Sequence, residues 1–215
     1  MTFSRRPMLH APRLDVPWRD VDYCVLDFET TGLDLRRDEI VSYGLVLVEA
    51  GRMQCNSARY GLVQPDRRVG VPAIRVHGLR EDDLQQAPAL AEVMAADLLP
   101  NLAGRVLVAH AAWLEHTLLR RALQPLRRRP NAAVVDTARL AIKAGLAPPD
   151  SDFEPGLEWL AGQVQICVHE PHHALGDALT TGEIFLALAS ALERRHQART
   201  GLLMQAGDLV QWSAR

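Results

Sequence analysis

A pair of carboxylates at the end of an apolar run constrains the fold of this chain more than any other feature of its sequence. Residues 23–28 predict a buried β-strand, and its end carries Asp27 and Glu29 two positions apart. Because side chains alternate along a strand, both carboxylates point to one face. Burial beside an apolar core disfavours two adjacent anions unless a cation lies between them. The pair therefore predicts either a bound divalent cation or an Arg or Lys partner at this edge of a sheet.

The composition of the 215 residues is that of an ordinary globular protein that can bury a substantial core. The formal net charge of -2 gives no global basic field, so any nucleic-acid partner is expected to be held locally, for instance at an end. Three isolated cysteines predict neither a disulfide framework nor a cysteine metal site. The first residues lack the apolar core of a secretory signal, and we expect no apolar run of membrane-spanning length. The protein is predicted to be cytoplasmic.

The order of the predicted elements indicates one α/β domain. Strands over 23–28, 39–49 and 53–63 are joined by short turns, after which shorter strands alternate with helices. The later strands are predicted at 106–109 and 133–135, and the helices at 89–98, 112–123, 137–144, 157–164 and 174–195. Residues 65–72 and 146–156 are predicted to be loops. We divide the chain into an N-terminal arm (1–20), a domain (21–198) and a C-terminal tail (199–215).

Two further acidic residues follow along the chain. Glu115 lies about one turn into the helix after the fourth strand, and Asp177 opens the long last helix, five residues after His172. Each acid on its own has an ordinary explanation. A strand-end pair is usually a solvated rim, an Asp at a helix start is usually a cap, and a lone helical Glu usually faces solvent. The prediction of a site depends on their ordered combination.

Three motifs carry that combination: D-F-E-T-T-G-L (27–33), A-H-x-A-x-x-E (109–115) and H-x-A-x-x-D (172–177). In this order they resemble the DEDD 3′–5′ exonucleases, and within them the histidine-bearing DEDDh subclass that includes the proofreading epsilon subunit of bacterial DNA polymerase III. The resemblance runs from about residue 22 to about residue 195 and takes in V-H-G-L (76–79) and V-V-D-T-A-R-L (134–140). It implies a ribonuclease H-like α/β fold, a five-stranded mixed β-sheet flanked by α-helices, in agreement with the order of the elements.

The resemblance also implies the chemistry of the site. Two Mg²⁺ or Mn²⁺ ions would be held by four acids, Asp27, Glu29, Glu115 and Asp177. His172 would take the proton of the attacking water. Mg²⁺ prefers oxygen ligands, and two ions about 3.5–4 Å apart stabilise the attacking and leaving oxygens at phosphorus. The expected reaction is the release of nucleoside monophosphates from the 3′ end of DNA or short RNA.

The same resemblance places the end of the substrate against the turn after the first strand. The backbone at Thr30 and Thr31 would meet the terminal 3′-hydroxyl, and Leu33 would pack on the terminal base. His77 is a further candidate for substrate contact. Each of these has a structural alternative, because Thr-Thr-Gly is also a common way to leave a strand and a histidine such as His77 more often packs a loop.

Other histidines and the arginine runs are open to two interpretations. His169 and His173 compete with His172 as the base, and only the H-x-A-x-x-D pattern selects His172. His110, at the end of an apolar strand, is expected to be a hydrogen-bonded core histidine. The arginine runs 120–121 and 127–129 are expected to be solvated faces, with a row of phosphate contacts as the alternative.

The second motif departs from the family pattern Asn-Ala-x-Phe-Asp. Residues 111–115 read A-A-W-L-E, so the Asn is absent and the third acid is a Glu, one methylene longer. The alternative to a working exonuclease is therefore a catalytically weak or inactive nucleic-acid-binding or regulatory module of the same fold. The expected partners are the 3′ ends of single-stranded DNA or RNA, and either another protein or a second copy of the chain, with no membrane.

Overall fold

A computed structural model describes residues 11–130, 133–148 and 154–214 of the chain. Its centre is a single sheet whose strands are β1 (Tyr23–Thr30), β2 (Ile40–Glu49), β3 (Arg52–Leu62), β4 (Val106–Ala109) and β5 (Val134–Asp136). Their order across the sheet is β3-β2-β1-β4-β5. β1 runs antiparallel to β2 and parallel to β4. The prediction of a five-stranded mixed sheet is confirmed.

Helices cover both faces of the sheet. Those within the described residues are α1 (Val71–His77), α2 (Glu81–Leu84), α3 (Leu90–Val93), α4 (Leu99–Leu102), α5 (Trp113–Leu123), α6 (Thr137–Lys143), α7 (Leu157–Gln163), α8 (Ala174–Thr200) and α9 (Ala206–Ser213). A π-helical segment, Met94–Leu98, joins α3 to α4, and a 3-10 turn, Trp18–Asp20, precedes β1. Most predicted helices are present within a few residues of their expected ends.

The register of β1 determines where its acidic end lies. Asp27 pairs with Gly44 on β2, and Gly44 pairs with Tyr60 on β3, so the three residues form one row across the sheet. The pairing shifts between Glu29 and Thr30, where an irregularity ends the ladder. Because β4 is parallel to β1, the carboxyl ends of both strands meet at the same edge of the sheet. Helix α5 also begins at this edge of the sheet.

The core has one layer on each face of the sheet, because β1 is buried on both faces. Val25 belongs to the layer that contains Phe185 of α8, whereas Leu26 belongs to the layer that contains Leu119 of α5. Side chains two positions apart share a face, so Asp27 continues the face that α8 covers. The alternation within β1 thus directs its carboxylates towards α8.

Two helical regions differ from the prediction. α1 begins at Val71, so the predicted loop over 65–72 is wrong at its end. Pro72 suits the first turn of a helix, where no N–H donor is needed. The helix predicted over 89–98 continues through the π-helical segment to Leu102. The turns of a π-helix are wider than those of an α-helix. Pro100, which has no N–H to donate, lies two residues after the π-helical segment.

Residues near both ends of the chain pack on the core. Trp18 is fully buried and meets Phe185 edge-on, with 5.9 Å between ring centroids. Pro17 forms an isolated bridge with Gln205, and the side chain of Leu209 in α9 is fully buried. The described parts of the predicted arm and tail therefore have tertiary contacts. Residues 1–10 of the arm and 149–153 of the loop at 146–156 lie outside the described residues, and the boundaries at residues 20 and 199 stay a prediction.

Helix α8 is the one candidate membrane span within the described residues, by length and composition alone. The expectation that no apolar run reaches this length is therefore wrong. More than half of its most apolar stretch is buried inside the protein. Its buried side chains, such as Ile184, Phe185 and Leu188, belong to the core layer that also contains residues of β1 and β2. Core packing accounts for the apolar character of this helix.

Candidate active site

Three carboxylates meet where β1 ends beside the start of α8. One oxygen atom of each of Asp27, Glu29 and Asp177 lies within 4.8 Å of the other two. Asp27 and Glu29 share a face of β1, and Asp177 comes from the first turn of α8. All three side chains are partly buried. The structure thus brings three of the four predicted acids within reach of a common ligand.

A glycine in β2 allows α8 to begin this close to the sheet. Gly44 lies beside Asp27, and a Cβ atom at this position would overlap the backbone of Ala174 and Leu175 at the start of α8. Only a residue without a side chain leaves room for the turn that carries Asp177. Sequence reasoning missed this role, although an isolated Gly within a strand pattern indicates close approach of another backbone.

The fourth acid, Glu115, lies in the first turn of α5 and is 3% exposed. It is not one of the three residues whose oxygens converge. Its charge is nevertheless the strongest of the neighbouring charges that, after burial, raise the pKa of Asp27. Its Oε2 atom has no hydrogen-bond partner among the residues that the structure describes. Glu115 therefore adds an uncompensated buried oxygen beside the other acids.

Asp136 holds the start of α5 in place. Its Oδ2 atom accepts the N–H of Ala112 at 3.1 Å, and its Oδ1 atom accepts the N–H of Ala138 at 2.9 Å. The second bond is the N-cap of α6, a position that favours Asp. The first bond fixes α5 three residues before Glu115. Sequence reasoning missed this link, because no local pattern connects residue 136 with residue 112.

The charges of the four acids are not balanced by basic side chains. Within the described part of the chain, none of them forms an ion pair with Lys, Arg or His. Burial, and then the charge of Asp177, raises the pKa of Glu29 to about 8. Burial raises the pKa of Asp177 to about 6, against the lowering effect of the hydrogen bond from the His172 N–H. Burial also raises the pKa values of Asp27 and Glu115.

These observations favour the cation over the basic partner. An Arg or Lys partner for the acid pair is not found among the described residues, and every potential ligand atom in the group is a carboxylate oxygen. Oxygen ligands suit hard divalent cations such as Mg²⁺. The unpaired Oε2 atom of Glu115 is a further acceptor that a cation would satisfy. The acidic group therefore fits a divalent metal ion.

The three histidines before α8 have different surroundings. His169 Nε2 lies 3.1 Å from Glu183 Oε1, and the ring of His173 stacks on Tyr60 with 4.2 Å between centroids. His172 is exposed, and its ring has no hydrogen-bond partner among the described residues. The charges of both His172 and His173 lower the pKa of Asp177. The backbone φ of His172, +61°, is uncommon for a residue with a side chain. Of the three, His172 is the exposed residue, and its backbone N–H is bonded to Asp177.

A family comparison agrees with this geometry. Residues 24–185 match the model of the RNase T family, described as exonuclease. The chain belongs to this exonuclease family. The resemblance of its motifs to the DEDD exonucleases is thereby confirmed.

Two curated relatives have DNA polymerase III names. The chain is 34% identical over 194 residues to a DNA polymerase III subunit epsilon-like protein of Rhodobacter capsulatus, and this match covers 88% of the chain and 27% of that relative. The chain is 29% identical over 170 residues to the DNA polymerase III subunit epsilon of Treponema pallidum, and this match covers 78% of the chain and 76% of that relative. The chain thus spans about a quarter of the first relative's length.

A solved structure supports the fold of the chain. Exonuclease X in complex with 5′ overhanging duplex DNA superposes on it with a TM-score of 0.62 at 22% identity. The match covers 87% of this chain and 99% of that one. The predicted ribonuclease H-like fold is confirmed.

The turn after β1 is a hydrogen-bonded unit. The Thr30 hydroxyl donates to the carbonyl of Gly32 at 2.6 Å, and the Thr31 hydroxyl donates to Asp38 at 2.9 Å. Leu33, at the tip of the turn, is 87% exposed. The turn therefore presents one apolar side chain to solvent next to the acids. Substrate contacts by Thr30, Thr31 and Leu33 stay predictions.

His77 and His110 both form hydrogen bonds within the described chain. His77 Nδ1 accepts the N–H of Leu79, so Nε2 carries the proton and donates it to the carbonyl of Thr30, each at 3.1 Å. The ring nitrogens of His110 contact a hydroxyl at 2.9 Å and a carbonyl at 2.7 Å, which confirms the prediction of a hydrogen-bonded core histidine. Burial lowers the pKa of both rings. His77 orients the turn after β1, and its contact with substrate stays a prediction.

Proposed function

We propose that the exonuclease hydrolyses the terminal phosphodiester bond at the 3′ end of DNA or short RNA, with two Mg²⁺ or Mn²⁺ ions in the acid cluster. The observation that supports this most is the convergence of Asp27, Glu29 and Asp177 within 4.8 Å without a basic partner among the described residues. Partly buried like charges at this spacing raise the free energy of the fold unless a cation compensates them. A solvated rim of acids would not need such an arrangement.

Four acids would hold the metal ions through their carboxylate oxygens: Asp27, Glu29, Glu115 and Asp177. When bound, the ions would stabilise the charge on the attacking and leaving oxygens at phosphorus. Carboxyl groups with raised pKa values must release their protons before they act as ligands, so metal affinity should rise with pH. The raised pKa values of Asp177, about 6, and of Glu29, about 8, contribute to this dependence, together with those of Asp27 and Glu115.

His172 would take the proton of the attacking water, which assigns the exonuclease to the histidine-bearing subclass. Imidazole is suited to this role because its ordinary titration range lies near neutral pH. The N–H of His172 donates to Asp177 Oδ2 at 3.1 Å, so the loop with the imidazole is tied to a proposed metal ligand. This bond would hold the loop that carries the base at a fixed position relative to the acid cluster.

The turn after β1 would recognise the end of the strand. Its exposed Leu33 side chain would pack on the terminal base, a contact that tolerates any base because every base has an apolar face. The backbone at Thr30 and Thr31 would meet the terminal 3′-hydroxyl. The internal hydrogen bonds of this turn would fix the position of its backbone and of Leu33 before the substrate binds.

We also propose a cytoplasmic protein that acts with a protein partner or as a pair of chains. Two relatives carry polymerase-subunit names, and one of them is considerably longer than this chain. An exonuclease without a strongly basic overall charge gains from a partner that delivers the strand end. The alternative is a weak or inactive binding module, since Glu115 stands where the family pattern has an Asp.

Product analysis on end-labelled strands tests this function. A 5′-labelled single-stranded oligonucleotide should shorten stepwise from its 3′ end in Mg²⁺ or Mn²⁺, with nucleoside monophosphates as the released product. A 3′-phosphate should slow the reaction, and a circular single strand should resist it. Cleavage of the circle, or loss of nucleotides from the 5′ end, would contradict the proposal. Strand binding without hydrolysis would favour the inactive module.

A further inference from the structure

Five arginine side chains line one recess at the C-terminal end of α5. Arg120 and Arg121 belong to the last turn of the helix, and Arg127, Arg128 and Arg129 to the turns that follow it. With Gln124 they surround a cavity of about 480 Å³. We call this feature the arginine recess. It corresponds to the two arginine runs whose role the sequence left open.

The positive charge of the arginine recess is not neutralised by any acidic side chain in the described part of the chain. Within the residues that the structure describes, none of the five arginines forms an ion pair with Asp or Glu. The negative end of the helix dipole accounts for Arg120 and Arg121 at the last turn. It does not account for residues 127–129, which lie beyond the helix. In a chain of net charge -2, so many like charges around one cavity indicate an anionic ligand.

The arginine recess is connected to the turn after β1. Arg121 Nη1 donates to the carbonyl oxygens of Leu35 and Asp38, both at 2.7 Å. The side chain of Asp38 in turn accepts the hydroxyl of Thr31 at 2.9 Å. One short loop therefore joins the recess to Leu33, the residue proposed to contact the terminal base. A strand whose terminal base packs on Leu33, as proposed above, would lie beside this loop.

The separation along α5 fits a few nucleotides of substrate. From Glu115 to Arg121 the helix rises about 9 Å, and from Glu115 to the end of α5 at Leu123 it rises about 12 Å, with Arg127 to Arg129 lying four to six residues beyond that end. A stacked strand advances about 3.4 Å per nucleotide. These lengths correspond to roughly three to five nucleotides from the 3′ end.

We propose that the arginine recess binds phosphate groups of the substrate strand about three to five nucleotides upstream of its 3′ end. Guanidinium groups bind phosphate oxygens in a bidentate manner, and such contacts position a strand without selecting its sequence. This proposal rests on the proposed 3′-end activity. It gives the exonuclease a second point of contact with a strand that is otherwise held only at its end.

Strand binding without turnover tests the proposal. The recess variant carries Arg120→Gln, Arg127→Gln and Arg129→Gln, all at exposed side chains, in an Asp27→Asn background that removes hydrolysis. The control variant carries Arg52→Gln, Arg194→Gln and Arg199→Gln in the same background. These three residues are also exposed, and they lie at the β2–β3 turn and in the distal half of α8. The probes are 5′-fluorescent single strands of two to twelve nucleotides in Mg²⁺, followed by anisotropy.

The parent protein should gain affinity steeply between about three and six nucleotides, as the strand reaches the recess. The recess variant should lose this gain, bind the twelve-nucleotide strand about tenfold more weakly, and show a salt dependence reduced by about two in log–log slope. The control variant should resemble the parent. Melting curves followed by circular dichroism establish that both variants fold.

Three results would overturn the proposal: unchanged affinity in the recess variant, equal weakening in the control variant, or parent affinity that does not depend on strand length. Failure of the proposed function would be seen separately, as absence of hydrolysis in the protein with intact acids while length-dependent binding persists.

Discussion

The carboxyl group of Glu115 is buried, and its Oε2 atom has no hydrogen-bond partner among the residues that the structure describes. Burial raises the pKa of this group, and the charge of Asp136 adds to the effect. At pH values above the ordinary pKa of a glutamate, such a group destabilises the fold, because the unfolded chain then binds fewer protons than the folded chain. A residue kept at the expense of stability is typical of a ligand-binding role.

Replacement of Glu115 by Gln should therefore change stability and activity in opposite directions. In chelator at pH 8, Glu115→Gln should raise the free energy of unfolding, because it removes a buried charge that has no cation beside it and whose pKa burial raises. The gain should shrink towards pH 4, where the wild-type acid is protonated in both states. Urea denaturation at several pH values measures it.

The same variants test the role of Glu115 in catalysis. In Mg²⁺, Glu115→Gln should lose most of the activity, whereas Glu115→Asp, which restores the family's usual acid, should keep it. Rates for Glu115→Gln equal to those of the wild type would show that Glu115 does not belong to the active site. Activity that appears only in Glu115→Asp would favour the inactive module.

His172 can be separated from its neighbour His173 by a pair of substitutions. His172→Ala should slow hydrolysis by about 10²–10⁴-fold, the usual contribution of a positioned base, with little change in metal affinity. His173 stacks on Tyr60, so His173→Ala serves as the matched control and should have a smaller effect. Initial rates and metal titrations measure both effects. If His173→Ala gave the large loss and His172→Ala none, the base would be His173.

Among the elements, the contact between β2 and α8 controls the shape of the acid cluster. Gly44 has no side chain, which leaves room for the first turn of α8. That turn places Asp177 beside the end of β1. A side chain at this position would push the helix start away from the sheet. The acids would then separate even though all of them were still present.

Gly44→Ala should accordingly affect both folding and activity. We expect a loss of about 1–3 kcal/mol in the free energy of unfolding, as for other overpacked core sites, and a large loss of activity. Gly162→Ala is the control, because a Cβ atom there meets open space on α7 and alanine favours a helix. Denaturation curves and initial rates compare the two variants. A Gly44→Ala variant with wild-type stability and rate would contradict the role of this contact.

The elements also show what a sequence can predict. β1 and β2 were predictable because their apolar runs are continuous, and the N-cap at Asp136 because capping depends on neighbouring residues. The convergence of Asp27, Glu29 and Asp177 was predictable because the three motifs occur in the order that resembles the DEDD exonucleases. The roles of Glu115 and His172 stay predictions. The bond from Asp136 to Ala112 was not predictable, since it joins segments that meet only in the folded chain. The roles of Gly44 and the Tyr60–His173 stack depend on tertiary packing in the same way.

At the scale of the whole molecule, the two ends of the described chain close one layer of the core. Trp18 packs against Phe185, and α9 follows the bridge between Pro17 and Gln205. The residues around Trp18 have no period, because they form a turn and a bridge and no long regular element. The sequence therefore indicated an N-terminal arm, whereas the structure shows that Trp18 in this segment is buried in the core. Such contacts, remote from the acids, stabilise the layer in which α8 lies.

The central claim is that the acid cluster acts through bound divalent cations, and its most direct test is the initial rate of 3′-terminal hydrolysis as a function of metal concentration. The wild type should be inactive in chelator and regain activity in Mg²⁺ or Mn²⁺. Asp27→Asn should be inactive at every metal concentration, whereas Asp22→Asn, at an exposed acid five residues earlier, should behave as the wild type. Full turnover in chelator, or wild-type rates for Asp27→Asn, would contradict the account.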